Sequence, residues 1–222
     1  MKLSVVVPVL NEELNLSRIT SHLRSVIEQG HEVIIVDGGS TDNTLTIAYE
    51  ITDTVIISKK GRALQMNSGA SIASGKVVLF LHADTLLPEN VAEIISAACV
   101  GESFWGRFDV RLSNNKYVYR LIECMMNMRS SLTSIVTGDQ AIFIEKSLFD
   151  RIGGFPEIAL MEDIEISRRL KKISKPVRLK SRVVTSSRRW ERNGVFATVF
   201  LMWKLRLYYF FGVSPEKLNQ MY

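Results

Sequence analysis

Apolar residues in the first hundred positions follow two alternating periods. Leu3 to Val7, Val33 to Val36, Val55 to Ile57 and Val77 to Leu81 are short continuous runs of valine, isoleucine, leucine and phenylalanine. Such runs suit strands of a parallel sheet covered on both faces. Between the first two, Leu16, Ile19, Leu23 and Val26 recur at three- and four-residue spacing until Gly30, which predicts a helix with a glycine stop. A second helix is expected to start at Ser40 or Thr41, both good capping residues. A third covers about Arg62 to Ala73, ahead of Gly75. Strand and helix repeated in this way predict a doubly wound α/β sheet.

The second half is less regular. Phe104 to Leu112 and Ala141 to Ile144 read as strands, Tyr117 to Met128 and Asp163 to Lys172 as helices, and Gly153-Gly154-Phe155-Pro156 as a turn. From Gly194 to Gly212 the chain is dominated by apolar and aromatic residues, with Lys204 and Arg206 as its only charges. No stretch reaches the roughly 18 uncharged apolar residues of a membrane span. No linker, internal repeat or low-complexity segment divides the chain. The expected organisation is one domain over residues 1–193, with a nucleotide half (1–100) and an acceptor half (101–193). An amphipathic C-terminal helix and tail (194–222) would follow.

Composition narrows the class without naming it. The 222 residues are 46% hydrophobic and 23% charged, the balance of an ordinary globular protein rather than a disordered, collagenous or polytopic membrane chain. The net charge is +5, and it is unevenly placed: between Arg168 and Arg192 the only acid is Glu191. Such a run attracts phosphates or anionic surfaces. Apart from Trp190 it lacks the interleaved aromatics of a nucleic-acid binder, so no nucleic-acid partner is expected. Two cysteines, Cys99 and Cys124, are too few for a disulfide framework. With an opening that breaks at Pro8, Asn11, Glu12 and Glu13, they point to a cytoplasmic setting.

Several familiar motifs are absent. The segment Gly69 to Val77 has five residues between its glycines and a valine where a P-loop needs Ser or Thr. There is no GxGxxG, and the histidines and cysteines do not form a zinc set. Three polar clusters remain, each following a predicted strand: Pro8-Val9-Leu10-Asn11-Glu12, Asp37-Gly38-Gly39-Ser40-Thr41-Asp42 and His82-Ala83-Asp84. In an open α/β sheet all three would border one crevice at the carboxyl ends of the strands, where ligands bind.

On these residues the chain resembles a family 2 glycosyltransferase of the GT-A fold. It is similar in particular to a short bacterial branch carrying the motifs that read here His82-Ala83-Asp84-Thr85, Gly138-Asp139-Gln140, Leu160-Met161-Glu162-Asp163-Ile164-Glu165 and Arg188-Arg189-Trp190-Glu191. The similarity runs from Val5 to about Tyr222. It implies a Rossmann-like nucleotide-binding sheet and a sugar-transferring enzyme of the hexosyl-transfer class. Pro8 and Glu12 would line the nucleotide pocket, and Asp37 would accept a hydrogen bond from the base, usually uracil. Lys60 or Arg62 would sit near the base or diphosphate. Asp84 would be the metal-binding carboxylate of the DxD motif, whose first position is His82 here. Asp163 would be the general base, beside Glu162. Arg188, Arg189 and Trp190 would hold the donor diphosphate or the acceptor, although the glutamine of the family's QxxRW motif is missing. Gly138, Asp139 and Gln140 would shape the acceptor site or connect elements.

The chemistry accounts for these residue types. A nucleoside diphosphate leaves readily only when its charge is matched, by Mn²⁺ or Mg²⁺ on one or two carboxylates and by arginine forks. The acceptor hydroxyl needs a carboxylate to take its proton. The resemblance therefore implies a metal-dependent, inverting transfer from a nucleotide-sugar, expected to be a UDP-sugar, to a hydroxyl acceptor of apolar or lipid-linked type. A non-catalytic nucleotide-binding or membrane-peripheral adaptor on the same fold is the alternative; the presence of Asp37, Asp84 and Asp163 together favours the enzyme. The apolar C-terminal helix packs on the domain, on a second copy, or at an anionic membrane surface on the inner face of the cell membrane.

Overall fold

The four apolar runs of the first half become the parallel part of an eight-stranded sheet. The computed structural model describes residues 1–99 and 101–222; the expected boundary between halves, at residue 100, lies outside the described residues. Strand β1 (Leu3–Val9) leads through α1 (Glu13–Glu28) to β2 (Glu32–Asp37), then through α2 (Thr44–Ile51) to β3 (Val55–Ile57) and through α3 (Arg62–Ile72) to β4 (Val77–Phe80). After β5 (Thr85–Leu86) and α4 (Val91–Ala98) the chain forms β6 (Trp105–Leu112), α5 (Tyr117–Thr133), a 3-10 turn at Gly138–Gln140, β7 (Phe143–Glu145) and α6 (Lys146–Arg151). It ends with α7 (Glu162–Leu170), β8 (Val177–Thr185), α8 (Arg188–Asn193), α9 (Val195–Phe210) and α10 (Pro215–Met221).

The sheet order is β3-β2-β1-β4-β7-β6-β8-β5. Strands β3, β2, β1 and β4 are mutually parallel, β7 runs against both β4 and β6, β8 is parallel to β6, and β5 runs against β8. The register sets Val9 opposite Asp37 and Asp37 opposite Ile57. The first two polar clusters therefore leave the sheet side by side. Successive side chains of β1 go to opposite faces. Val5, Val7 and Val9 join Leu16 and Leu23 of α1 in one core, while Val6 joins Ala63, Met66 and Ile166 in the other.

Two sequence expectations are corrected, on α2 and on the C-terminal helix, and the basic run between them gains a strand. Helix α2 starts at Thr44 rather than at Ser40 or Thr41. Ser40 is held by Asp37 and Thr41 by the side chain of Asn11, so neither is free to cap. The basic run contains a strand, β8, in which Leu179, Val183 and Thr185 are buried while Arg178, Lys180 and Arg182 face outward. Its charges are the exposed half of a period-two pattern. The C-terminal helix is apolar around its circumference instead of amphipathic. Its inner residue Leu205 is fully buried with Met161, Ile164 and Leu218, so α9 and α10 pack onto α7. Its outer residues Phe196, Phe200, Trp203 and Phe210 are exposed.

Candidate active site

The crevice beyond the parallel strands is knitted together by backbone-directed side chains. The Gly38 N–H donates to the Val9 carbonyl at 2.9 Å. The Nε2 amide of Gln65, buried on α3, donates to the carbonyls of Val9 and Val36 at 2.8 and 2.9 Å, joining the ends of β1 and β2. Sequence reading missed Gln65 because a lone glutamine in a helix carries no pattern of its own. Asp37, 2% exposed, accepts the Gly39 and Ser40 N–H groups on Oδ2, both at 2.9 Å, and the Ser40 hydroxyl on Oδ1. Its carboxylate thus shapes the turn after β2. Glu12 stands at the start of α1, where its N–H donates to Thr44 Oγ1 at 2.8 Å and its carboxylate takes the Asn15 amide. Pro8 is partly buried and Lys60 is exposed.

Past the end of β4, a cavity of about 1060 Å³ collects residues from eight separate segments. Arg62 comes from the start of α3, His82 from the link after β4, Gly138 and Asp139 from the 3-10 turn, Glu162 and Asp163 from the start of α7, and Trp190 from α8. Helices α5 and α9 close the far side, contributing Arg129 and Arg206. Of the residues expected to act, Arg62, Gly138, Asp139, Glu162, Asp163 and Trp190 meet here. Pro8, Glu12, Asp37, Lys60, Asp84, Gln140, Arg188 and Arg189 do not line this cavity. Gln140 is fully buried below it: its Oε1 takes the Ser130 hydroxyl at 2.7 Å and the Thr137 N–H at 3.3 Å. Arg188 is exposed. Arg189 stacks over the ring of Tyr222, 3.7 Å from its centroid, and donates to the Tyr222 hydroxyl. Trp190 packs one side against Leu112, Tyr119 and Ile122.

The acids at the head of α7 differ in environment. Glu162 is 3% exposed and pairs with Arg62 Nη1 at 3.3 Å. Burial and the adjacent Asp163 charge push its carboxyl above the ordinary range, with Arg62 pulling the other way. The Arg62 side chain is 43% exposed; its partial desolvation favours the neutral form, but the charges of Glu162, Asp163 and Asp139 outweigh it and hold the guanidinium more firmly protonated than usual. Asp163 is only partly buried. Its Oδ1 accepts the Ile164 N–H at 2.7 Å and its Oδ2 the Gly138 N–H at 3.3 Å, which aims the carboxylate into the cavity. Ahead of these acids, Met161 has the positive φ of 74° that side chains rarely adopt, a strain typical of sites where position matters more than comfort. Burial would raise the carboxyl of Asp139, yet the bond from His82 and the charges of His82, Arg62 and Arg189 hold it below the usual range.

Asp84 lies between β4 and β5, partly buried. The Thr85 hydroxyl donates to its Oδ1 at 3.2 Å, and its Oδ2 has no donor among the described residues. Among the described residues there is no group of three or more His, Cys, Asp or Glu side chains close enough to hold a metal by themselves.

The family model of glycosyl transferase family 2 matches residues 4–151. The chain belongs to that family. The glycosyltransferase GlyG of Streptococcus pneumoniae serotype 4 is 33% identical over 100 residues, 42% of this chain and 33% of GlyG. The chain thus spans about a third of that relative's length. Among solved structures, S. aureus TarS in complex with UDP-GlcNAc superposes with a TM-score of 0.67 at 20% identity, over 84% of this chain and 58% of that one. The mannosyltransferase PcManGT from Pyrobaculum calidifontis, in complex with GDP-Man and Mn²⁺, superposes with a TM-score of 0.64 at 19% identity, over 92% and 60%. The fold of this family 2 member is accordingly GT-A, as its motifs implied.

Proposed function

We propose that this family 2 protein is a metal-dependent, inverting glycosyltransferase that moves a sugar from a nucleotide-sugar, a UDP-sugar in the first instance, to a hydroxyl acceptor. One observation carries the reading: Asp163, a carboxylate oriented by two backbone N–H groups, faces a single large cavity beyond the carboxyl end of β4. TarS and PcManGT support it as relatives in fold that bind nucleotide-sugars.

On this reading the donor lies over the ends of β1, β2 and β4, between Pro8, Glu12, Asp37 and Lys60, with its diphosphate towards Asp84 and its sugar towards the cavity. Asp84 suits a hard divalent cation, Mn²⁺ or Mg²⁺, because one carboxylate oxygen is free of protein donors. Such ions commonly bind through one or two carboxylates and substrate phosphates. The cation would supply charge neutralisation for the departing diphosphate. Arg62 and Arg189 add positive charge at the same edge. The acceptor oxygen bonds to the anomeric carbon as that carbon's bond to the diphosphate oxygen breaks. The acceptor proton passes to Asp163, and the electron pair leaves with the nucleoside diphosphate. Attack opposite the leaving group inverts the anomeric centre. Asp139, bonded to His82, holds the turn that donates to Asp163.

The exposed aromatics of α9 and the apolar outer residues of α5 support a peripheral position on an anionic membrane, where an apolar or lipid-linked acceptor would be reached. No described helix is long and apolar enough to cross a membrane.

The test is calorimetric titration with UDP, with and without Mn²⁺, on the wild type and Asp84→Ala, followed by a nucleotide-sugar panel scored for diphosphate release. Mn²⁺ should strengthen UDP binding in the wild type alone. An equal Mn²⁺ effect in the variant would remove Asp84 from the metal site, and no nucleoside-diphosphate binding at all would remove the transferase reading.

A further inference from the structure

Two arginines in the cavity have no function in the reaction as described. Arg129 projects from α5 and Arg206 from α9, and both line the same cavity as Asp163. Among the described residues neither forms an ion pair with a carboxylate. Arg129 reaches only the hydroxyls of Ser130 and Thr137, at 3.2 and 3.5 Å, and its buried Nε has no partner. Burial and repulsion from Arg206 pull the Arg129 guanidinium down to about 10, and burial likewise lowers Arg206, with the charges of Asp163 and Asp139 pulling both the other way without fully offsetting it. Guanidinium groups that line a partly dehydrated cavity without an ion pair of their own gain when an oxyanion enters beside them.

The wall beside them is apolar. Ile122, Met125 and Met126 of α5 and Met202, Leu207 and Phe210 of α9 line the same space. Methionine-rich walls adapt to irregular apolar ligands. Of the donor-side residues Arg62 alone reaches this cavity, held there by Glu162, while Pro8, Glu12, Asp37, Lys60 and Asp84 do not line it. The Arg129–Arg206 pair therefore lies apart from the proposed nucleotide position.

We infer that the acceptor is an anionic amphiphile: a compact oxyanion lies between Arg129 and Arg206, its apolar chain runs between α5 and α9, and its nucleophilic oxygen reaches Asp163. The inference rests on the transferase reading for the word acceptor, and on the cavity alone for the ligand class. Guanidinium groups bind oxyanions through charge-assisted, often bidentate hydrogen bonds. The apolar wall selects against small free anions.

Octyl phosphate is the probe, with octanol and inorganic phosphate as its neutral and chainless counterparts. Trp190 and Trp203 line the cavity, so intrinsic fluorescence reports occupancy. Octyl phosphate should saturate the signal at a concentration at least about tenfold below either counterpart, the scale of one charge-assisted interaction. Arg206→Gln and Arg129→Gln should bring octyl phosphate to within a few-fold of octanol while leaving UDP binding with Mn²⁺ unchanged. Arg206 lies on a partly exposed helix face, so its variant keeps the test decisive if Arg129→Gln folds poorly. Equal binding of octanol and octyl phosphate would overturn the proposal, as would equal binding of inorganic phosphate. So would a loss of UDP affinity in Arg206→Gln as large as the loss of octyl phosphate, because the cations would then belong to the donor. A wild type that binds octyl phosphate but no nucleoside diphosphate would overturn the transferase reading and leave the amphiphile site standing.

Discussion

His82 Nδ1 lies 3.3 Å from Oδ1 of Asp139. The same imidazole packs on the Cα of Gly138, where an added Cβ would collide with Nε2. The histidine in the link after β4 is thus engaged with the 3-10 turn, and that turn in turn donates the Gly138 N–H to Asp163. The strand-end motif and the acid at the head of α7 are coupled through two residues.

This coupling predicts a non-additive pair. Gly138→Ala should destabilise the protein by about 2 kcal/mol, as overpacking does, and should lower turnover by shifting the donor to Asp163. In a His82→Ala background the same substitution should cost less than about 0.5 kcal/mol, because the obstructing ring is gone. Urea unfolding of the four proteins measures the cycle. Equal costs of Gly138→Ala in both backgrounds would mean that the ring yields freely and the coupling is absent.

Asp163→Asn should reduce turnover by at least ~10², the scale of general-base catalysis, with UDP affinity nearly unchanged. Glu162→Gln should act mainly through Arg62, whose partner it removes. Steady-state rates with the best donor of the panel, beside UDP calorimetry, separate the two. A variant at Asp163 that keeps most of its turnover would move the base to Glu162 or Asp139.

A second set of charges sets the acid stability. Asp109 bonds Arg107 Nη1 and Arg178 Nη2, each at 2.7 Å, and Arg107 also donates to the Asn127 carbonyl and the Ser131 hydroxyl of α5. Burial would raise the Asp109 carboxyl, but the bonds from Arg178 and Arg107 hold it below its ordinary 3.8. A depressed folded value means stabilisation that is complete above 3.8 and lost as pH falls through the folded value. Glu162 works with the opposite sign: its raised carboxyl favours folding while protonated, and that contribution fades as pH rises above its ordinary 4.5. Arg178 is half exposed and its share is screened, so most of the effect rests on fully buried Arg107. Asp109→Asn should cost about 3 kcal/mol at pH 7, the low end for breaking a buried pair. It should also flatten the loss of stability as pH falls below the ordinary 3.8 of the group. Denaturant melts across that window provide the check, and an unchanged acid slope would place the acid-sensitive groups elsewhere.

The sequence carried the parallel half of the sheet because fully buried strands such as β1 and β4 are continuous apolar runs with few alternatives. It carried the motif residues at the strand ends and at the head of α7 because loops are where function concentrates. Arg129, Arg206 and Gln65 were not legible. Each is a single polar residue in a helix, where charge ordinarily means solvent, and only the packing of α9 over α7 turns Arg206 inward. Strand β8 was hidden because its outward positions are all basic, and the charge count concealed the alternation of Leu179, Val183 and Thr185 beneath it. The separation of Gln140 from Asp139 was equally hidden, since neighbours in a 3-10 turn point in different directions and only one of the two reaches the cavity.

The exposed aromatics of α9 give the last prediction. Phe196, Phe200, Phe210 and Phe211 are each more than 70% exposed, and Leu121, Met128 and Leu132 on α5 are exposed as well. Apolar surface on this scale costs free energy in water and marks an interaction face. The basic residues Lys180 and Arg182 on β8 are exposed, and each cation near an anionic surface adds about 1 kcal/mol. The protein should therefore sediment with anionic vesicles at low salt and be released as salt rises. Removing α9 is not a clean test, because Leu205 packs with Leu218, Met161 and Ile164 beside the acids at the head of α7. The double variant Phe196→Ser, Phe211→Ser leaves that inner face and the cavity wall intact. It should lose most vesicle binding, since each buried aromatic contributes about 1.5–3 kcal/mol, while keeping its melting temperature. A wild type that stays in the supernatant at low salt would exclude the membrane. A wild type found as a dimer that the double variant dissolves would assign the same face to a second copy of the chain.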